Sequence, residues 1–342
     1  MPATWTEQLT PAPARMDPAS GEISFHAERD ETHLAASATI CVPLTHLGLI
    51  EASGEDAAGF LHNLTSNDIK KLPPDRAQHN SLNSPKGRML ASLLVWRRDG
   101  GYTLALAADL QAAIQKKLGM YVLRSKVKLA SPPRALLGLA GPGAETCLAA
   151  VGLNAGDADL AASGEQARVI RLGPQRFMLD CPQEDIPALW QGLQAAGARA
   201  AGTPAWRWLD IQAGLPLITA ASSDEFVAQM LNFELLGGVN FQKGCYPGQE
   251  IVARTQYLGK LKKRMYRAHL TADTPPAAGT DLYAPEFGAQ SCGKLVNCVA
   301  APEGGFDLLA VMQISAFEAG EVHLGETNGP RLSLASLPYA ID

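Results

Sequence analysis

The stretch Phe241-Gln-Lys-Gly-Cys-Tyr-Pro-Gly-Gln-Glu-Ile-Val-Ala-Arg254 places one thiol in a setting suited to chemistry. Gly244 precedes Cys245, so the backbone there can turn tightly or approach a ligand closely. In Tyr246-Pro247-Gly248-Gln249, Pro at the second position and Gly at the third predict a type II turn, whose third residue needs φ > 0. Good helix formers follow from Gln249 to Thr255, which puts Cys245 just ahead of a helix N-terminus. Lys243 lies two residues upstream, and in an extended segment both side chains point to one face. A nearby ammonium and a helix N-terminus both favour thiolate over thiol. The alternative is a small apolar Cys packed in a turn.

Other cysteines offer less. Cys41, Cys147, Cys181, Cys292 and Cys298 form no Cys-x-x-Cys pair, and six in 342 residues are too sparse for a disulfide framework. The seven histidines are scattered, so no protein-only metal site is expected. The densest basic run is Lys260, Lys262, Lys263, Arg264 and Arg267, and Lys86 and Arg88 flank Gly87 in a turn-like segment. Either group can meet an anionic ligand or simply face solvent.

The elements that must position these groups follow from periodicity. Residues 1–38 are rich in Pro, Ala and charge without apolar periodicity, which predicts a mobile arm. A strand is expected over 44–52. A helix over 54–64 has Ala57, Phe60, Leu61 and Leu64 on one face. Strands at 78–81, 89–97 and 102–106 include a hairpin at Gly100-Gly101. A helix over 109–121 carries Leu110, Ile114, Leu118 and Tyr121 at helical spacing, and strands follow at 127–130 and 135–140. The order suggests a split βαβ, ferredoxin-like unit. It recurs more faintly with a hairpin around Gly173-Pro174, a helix at 185–196 begun by Pro187, and another over 205–214. From Lys262 onward, short alternating runs separated by Pro and Gly suit a small β-barrel.

Composition fits a globular chain: 46% hydrophobic, 18% charged, formal net charge -5. The acidic balance argues against strong nucleic-acid binding. No apolar run approaches the roughly 20 residues needed to span a bilayer. Glu7 and Asp17 argue against a transit peptide, so a cytoplasmic location is expected.

Lys243-Gly-Cys-Tyr-Pro-Gly-Gln-Glu250 resembles the signature of the YgfZ family, folate-binding proteins related in fold to the glycine-cleavage T-protein, an aminomethyltransferase. Gly54-Glu-Asp-Ala57 through Leu64-Thr-Ser-Asn-Asp68, Pro85-Lys-Gly-Arg-Met89 and Ala213-Gly-Leu-Pro216 resemble other landmarks of that family, so the similarity spans roughly residues 43–342. The resemblance implies an α+β fold with two ferredoxin-like halves around a central channel and a C-terminal β-barrel. It sets the divisions at 1–38, 39–145, 146–261 and 262–342. It implies a tetrahydrofolate ligand and a role in assembly or repair of iron–sulfur enzymes, and through them in tRNA modification. Cys245 and Lys243 would then be the functional pair. Trp206 is implied as a platform for the pterin ring, and Leu47 stands at a matching first-half position that is aromatic in some relatives. Tyr246, Gln249, Glu250 and Arg254 are implied as ligand-facing, and Lys86 and Arg88 as partners of the folate glutamate tail.

The chain departs from the family pattern at three places. Leu47 is not aromatic. Gln212 stands where relatives often have Glu, and an amide offers one acceptor where a carboxylate offers two. Ala228 stands where relatives usually have Pro. Three function classes remain: a folate-dependent maintenance factor acting through Cys245, a tetrahydrofolate-dependent one-carbon (aminomethyl) transferase, and a thiol hydrolase or acyl transferase. The third needs a positioned base, and no His lies within 20 residues of Cys245. No turnover reaction can be assigned from the residues.

Overall fold

The computed structural model describes residues 4–9, 11–98, 100–259 and 261–341. The chain divides into two compact units that do not follow chain order. The first holds residues up to His62, Asp68–Gln78 and Leu93–Trp206. The second holds Asn63–Asn67, His79–Ser92 and Arg207–Asp342.

The first unit is built on two sheets. One has the order Ala77–Asn83, Met89–Arg98, Gly101–Ala107, Leu47–Ser53, Lys128–Ala130. Its last four strands, with helices Ala57–Leu64 and Ala108–Val122 between them in sequence, form a split βαβ pattern. Strand Leu47–Ser53 lies antiparallel to both neighbours. The chain passes into the second unit and back within strands Ala77–Asn83 and Met89–Arg98. Ala57, Phe60, Leu61 and Leu64 are all buried, as their helical spacing requires. In Ala108–Val122, Leu110, Ile114 and Leu118 are buried but Tyr121 is 41% exposed. The helix ends at Val122, and Leu123 follows with φ 41°, so Tyr121 lies on the fraying turn rather than in the core stripe.

The second sheet has the order Ala162–Ser163, Arg168–Gly173, Arg176–Pro182, Arg134–Ala140, Ile40–Pro43, Arg199–Ala200. Strand Arg134–Ala140, expected to close the first half, is instead central here, antiparallel to both neighbours. Ile40–Pro43 was not expected as part of this sheet. Its four residues are buried on both faces and show no alternation. Helix Ile186–Ala195 covers the sheet with Ile186, Trp190 and Leu193.

The described part of residues 1–38 is not a mobile arm. Trp5, Leu9, Ile23 and Phe25 belong to the same core as Leu137, Phe177 and Trp190, and Phe25 stacks on Trp190 with ring centroids 5.7 Å apart. The fully buried Glu31 carboxylate accepts the backbone N–H groups of Phe25, His26 and Gly202. These anchors are single apolar residues separated by Pro and charge, so no periodicity betrays them. Residues 1–3 and 10 lie outside the described residues.

The second unit carries a six-stranded antiparallel sheet, ordered His323–Leu324, Asp281–Tyr283, Gly293–Ala300, Phe306–Gln313, Lys263–Leu270, Leu332–Ala335. The sheet curls until its edges meet: His323 bridges Arg331, and Leu332 N–H donates to the Val322 carbonyl. Leu270, Leu282, Leu295, Leu308 and Met312 fill the interior. This is the small C-terminal barrel that the short alternating runs predict.

Candidate functional site

The thiol-bearing segment is held by two turns that meet without side chains. Gly248 has φ 76° and ψ 3°, and Gln249 N–H donates to the Tyr246 carbonyl at 3.1 Å. This is the type II turn expected from Pro247 and Gly248. A Cβ on Gly248 would lie 2.4 Å from the Ser84 carbonyl oxygen and 2.6 Å from the Gly87 Cα. Gly87 itself has φ 74°, and a Cβ there would lie 2.7 Å from the Ile251 Cβ. The Ser84–Arg88 turn is closed by Gly87 N–H to Ser84 O and Ser84 N–H to Arg88 O. Segments some 160 residues apart in sequence are thus brought into contact within one unit.

The two expected partners at this site face different ways. Cys245 is exposed. Lys243 is buried, its Nζ donating to the Thr65 carbonyl at 2.6 Å and lying 4.8 Å from the centroid of the Tyr246 ring. Lys243 and Cys245 therefore do not share a face, because the loop bends between them instead of running extended. Lys243 fastens the loop to the segment that begins the second unit. Tyr246 is buried too, and that burial pushes its phenol up to about 12. Helix Gln249–Tyr257 starts four residues after the thiol. The Gln249 side chain accepts from Tyr246 N–H, which turns it inward on the loop. Glu250, Arg254 and Gly244 are exposed.

Four of the remaining thiols are buried, and their burial raises each one: Cys181 to about 12, Cys292 to about 11, and Cys41 and Cys147 upward as well. Cys298 is half-buried. Among the described residues, no group of three or more His, Cys, Asp or Glu side chains is arranged to hold a metal ion.

Lys86 and Arg88 are exposed on the turn that receives Gly248, and Arg88 Nη1 donates to the Asp224 carbonyl. The basic run is partly consumed by structure. Arg264 pairs with Glu234 and donates to the Gln229 carbonyl, and Arg267 donates to the Gln212 carbonyl. Lys260 lies outside the described residues. Ala228 is buried and opens the 3-10 turn Ala228–Leu231.

The expected pterin contacts are otherwise engaged. In the first unit Trp206 is 2% exposed. The Arg176 guanidinium carbon stands 4.2 Å from its ring centroid, and its ring edge leaves no room for a Cβ at Gly138. Trp206 is a packed core ring rather than an open stacking platform, because Gly138 lets the helix that bears it sit close on the sheet. Leu47 is half-buried and lines a cleft of about 440 Å³ in that unit, with Thr45, Gln111 and Ser131. In the second unit Gln212 Nε2 donates to Asp307 Oδ2 at 3.0 Å. Asp307 also accepts Trp208 Nε1 at 2.8 Å and faces His269 Nδ1 at 2.9 Å. Sequence reasoning missed this Asp307 cluster. Its members lie up to 99 residues apart, and nothing in the local pattern joins them.

The second unit also buries polar atoms with no hydrogen-bond partner. Among the described residues they are Asn80 Nδ2, Ser81 Oγ, both amide atoms of Asn83, Ser84 Oγ, Gln229 Oε1 and Glu234 Oε2. Ser84 belongs to the turn that receives Gly248.

Comparison with known proteins gives consistent results. The GCVT N-terminal domain model matches residues 2–236. The tRNA-modifying protein YgfZ of Edwardsiella ictaluri is 30% identical over 311 residues, covering 88% of this chain and 94% of the relative. The protein of the same name from Photorhabdus laumondii is 30% identical over 308 residues, covering 88% and 92%. The glycine cleavage system aminomethyltransferase T from Bartonella henselae has a matching structure, with TM-score 0.79 at 19% identity, covering 97% of this chain and 95% of that one. At that identity the match shows the fold. The architecture is thus that of the glycine-cleavage T-protein.

Proposed function

The chain belongs to the family of the tRNA-modifying protein YgfZ, and from that premise we propose that it is a tetrahydrofolate-binding factor that supports iron–sulfur enzymes, and through them tRNA modification, with Cys245 as its functional thiol. One observation carries the reading. Cys245 is exposed at the tip of a loop that Gly248, Gly87 and the buried Lys243 hold in place, while four other thiols are buried. A thiol kept for packing does not need a loop pinned so that it faces water.

Lys243 is a positioning residue in this reading. Its ammonium satisfies the Thr65 carbonyl and lies against the Tyr246 ring, so it fixes the loop on which the thiol stands. The helix that starts at Gln249 directs its positive end toward the loop.

Folate enters through the family and the fold type. The side chains expected to grip it fit poorly as placed. Trp206 lies under Arg176, and the Gln212 amide is committed to Asp307. Tetrahydrofolate, if bound, would supply one-carbon chemistry at its N5 and N10 atoms; this chain contributes an exposed thiol on a pinned loop.

Calorimetric titration of the purified protein with tetrahydrofolate tests the ligand. The reading expects saturable binding, retained in Cys245→Ser because one sulfur adds little contact area. Absence of binding by the unsubstituted protein would remove folate from the proposal.

A further inference from the structure

We propose that the C-terminal end of helix Ala108–Val122, in the first unit, is a peripheral docking surface for an anionic lipid membrane. It uses no residue of the signature loop and does not depend on the folate reading. The helix buries Leu110, Ile114 and Leu118. An amphipathic surface helix turns charged and polar side chains to water on its other face. Here the exposed positions after Asp109 are Ala112, Ala113, Lys116, Gly119, Met120 and Tyr121. Met120 is 61% exposed, and Leu123, just past the helix, is 88% exposed. Leu123 also has φ 41°, a backbone conformation that a bulky residue adopts only under strain. A large apolar side chain is thus held in water on a backbone that disfavours it.

Cations surround this tip. Between Leu110 and Ala144 the chain has no Asp or Glu, but it has Lys116, Lys117, Arg124, Lys126, Lys128 and Arg134. Arg134 is bound to Asp180 and Lys126 to Glu55. Lys128 stands opposite Ser53, which also faces Gly101, close to residue 99 outside the described residues. The surface therefore rests on Lys116, Lys117 and Arg124. Their side chains make no hydrogen bond or ion pair among the described residues. Lys116 and Lys117 lie four positions before Met120 and Tyr121, so each cation neighbours an apolar side chain on the helix surface. Arg124 directly follows Leu123. The whole chain carries a net charge of -5, which makes this end of the helix a local positive focus on an acidic protein.

The combination selects the occupant. An RNA strand offers phosphates to the cations and bases to Tyr121, but nothing to Met120 and Leu123. A protein would need a hollow shaped for Leu123. A lipid surface takes the whole set without a preformed hollow. Apolar side chains enter the boundary between headgroups and acyl chains, tyrosine sits at the interface, and Lys and Arg meet anionic headgroups. The contact is peripheral, because no helix among the described residues is long and apolar enough to cross a membrane.

The test is flotation of the full-length protein with vesicles at low salt. One set is phosphatidylcholine and phosphatidylglycerol in equal parts; the other is phosphatidylcholine alone. Leu123→Gly, Arg124→Glu and a Lys262→Glu control are compared, with circular dichroism checking the fold. The parent should bind the anionic vesicles saturably, bind the neutral ones weakly, and be released by added salt. Leu123→Gly should weaken binding about tenfold, the scale of one inserted apolar side chain. Glycine accepts the positive φ, so this variant should melt no lower than the parent, which separates a docking role from a structural one. Arg124→Glu should weaken binding about thirtyfold, the scale of two charges at an anionic surface. Lys262→Glu makes the same change of net charge in the second unit and should bind like the parent. The proposal is overturned if anionic vesicles carry no more protein than neutral ones, if Leu123→Gly binds like the parent, or if Lys262→Glu loses as much binding as Arg124→Glu. It is also overturned if a labelled oligouridylate binds the parent and the vesicles do not, which would make the surface an RNA contact.

Discussion

Gly87 and Gly248 pack backbone on backbone: a methyl group added to Gly248 would sit 2.6 Å from the Gly87 Cα. Both residues also hold positive φ. Two separate penalties therefore fall on any substitution, and a third glycine separates them. Gly100 has φ 76° but nothing within 4 Å of an added Cβ. Gly100→Ala should cost about 1 kcal/mol from backbone strain alone. Gly248→Ala should cost roughly 1–3 kcal/mol more, the range for overpacking a tight contact. Urea unfolding of the two variants checks this, and equal losses would mean that the close approach contributes nothing.

Cys245 should be the first thiol to react in the native protein. It is exposed, whereas Cys41, Cys147, Cys181 and Cys292 are buried with their thiols raised by that burial. Limited iodoacetamide labelling near neutral pH, read by peptide mass spectrometry, should place the first label on Cys245. First labelling at any of the four buried positions would contradict the loop geometry.

His79 should make the protein acid-sensitive. Its ring packs edge-on to Phe233 with centroids 6.1 Å apart, and burial lowers its pKa to about 4. The unfolded chain binds that proton near 6.5. The neutral ring thus contributes stability above about pH 6.5, and this is lost as pH falls toward about 4. His79→Leu should flatten the fall in melting temperature over that window. An unchanged slope would show that another group governs it.

Gln212→Glu should be destabilising near neutrality, because it sets a second carboxylate beside Asp307, which already accepts Trp208 and Gln212 and faces His269. One of two adjacent carboxylates has a raised pKa. The deficit relative to the parent should therefore be full above the usual carboxylate range and shrink on acidification. Melting temperatures at pH 7 and pH 5 measure it; a deficit that grows toward pH 5 would contradict the pairing.

Part of this molecule was plain in the sequence. The Pro247-Gly248 turn, the helix after it and the Ala57, Phe60, Leu61, Leu64 face follow from local backbone and spacing rules, and the structure has them. Long-range placement was not legible. Lys243 and Cys245 looked like neighbours on one face, but the Thr65 carbonyl draws Lys243 inward. Trp206 looked like a ligand platform, but Gly138 and Arg176 enclose it. The N-terminal anchors Trp5, Leu9, Ile23 and Phe25 stand too far apart to form a period, yet each finds the same core. In every such case the deciding partner lies on another element, where single-segment reasoning has no view of it.

The central claim is that the exposed thiol of Cys245 does the work of this protein. The most direct measurement is complementation of cells that lack their own YgfZ-family protein, reading by mass spectrometry the tRNA nucleosides made by iron–sulfur enzymes. The parent chain should restore those nucleosides. Cys245→Ser, expressed to the same level and with the same melting temperature, should not. Restoration by Cys245→Ser to the level of the parent would contradict the account.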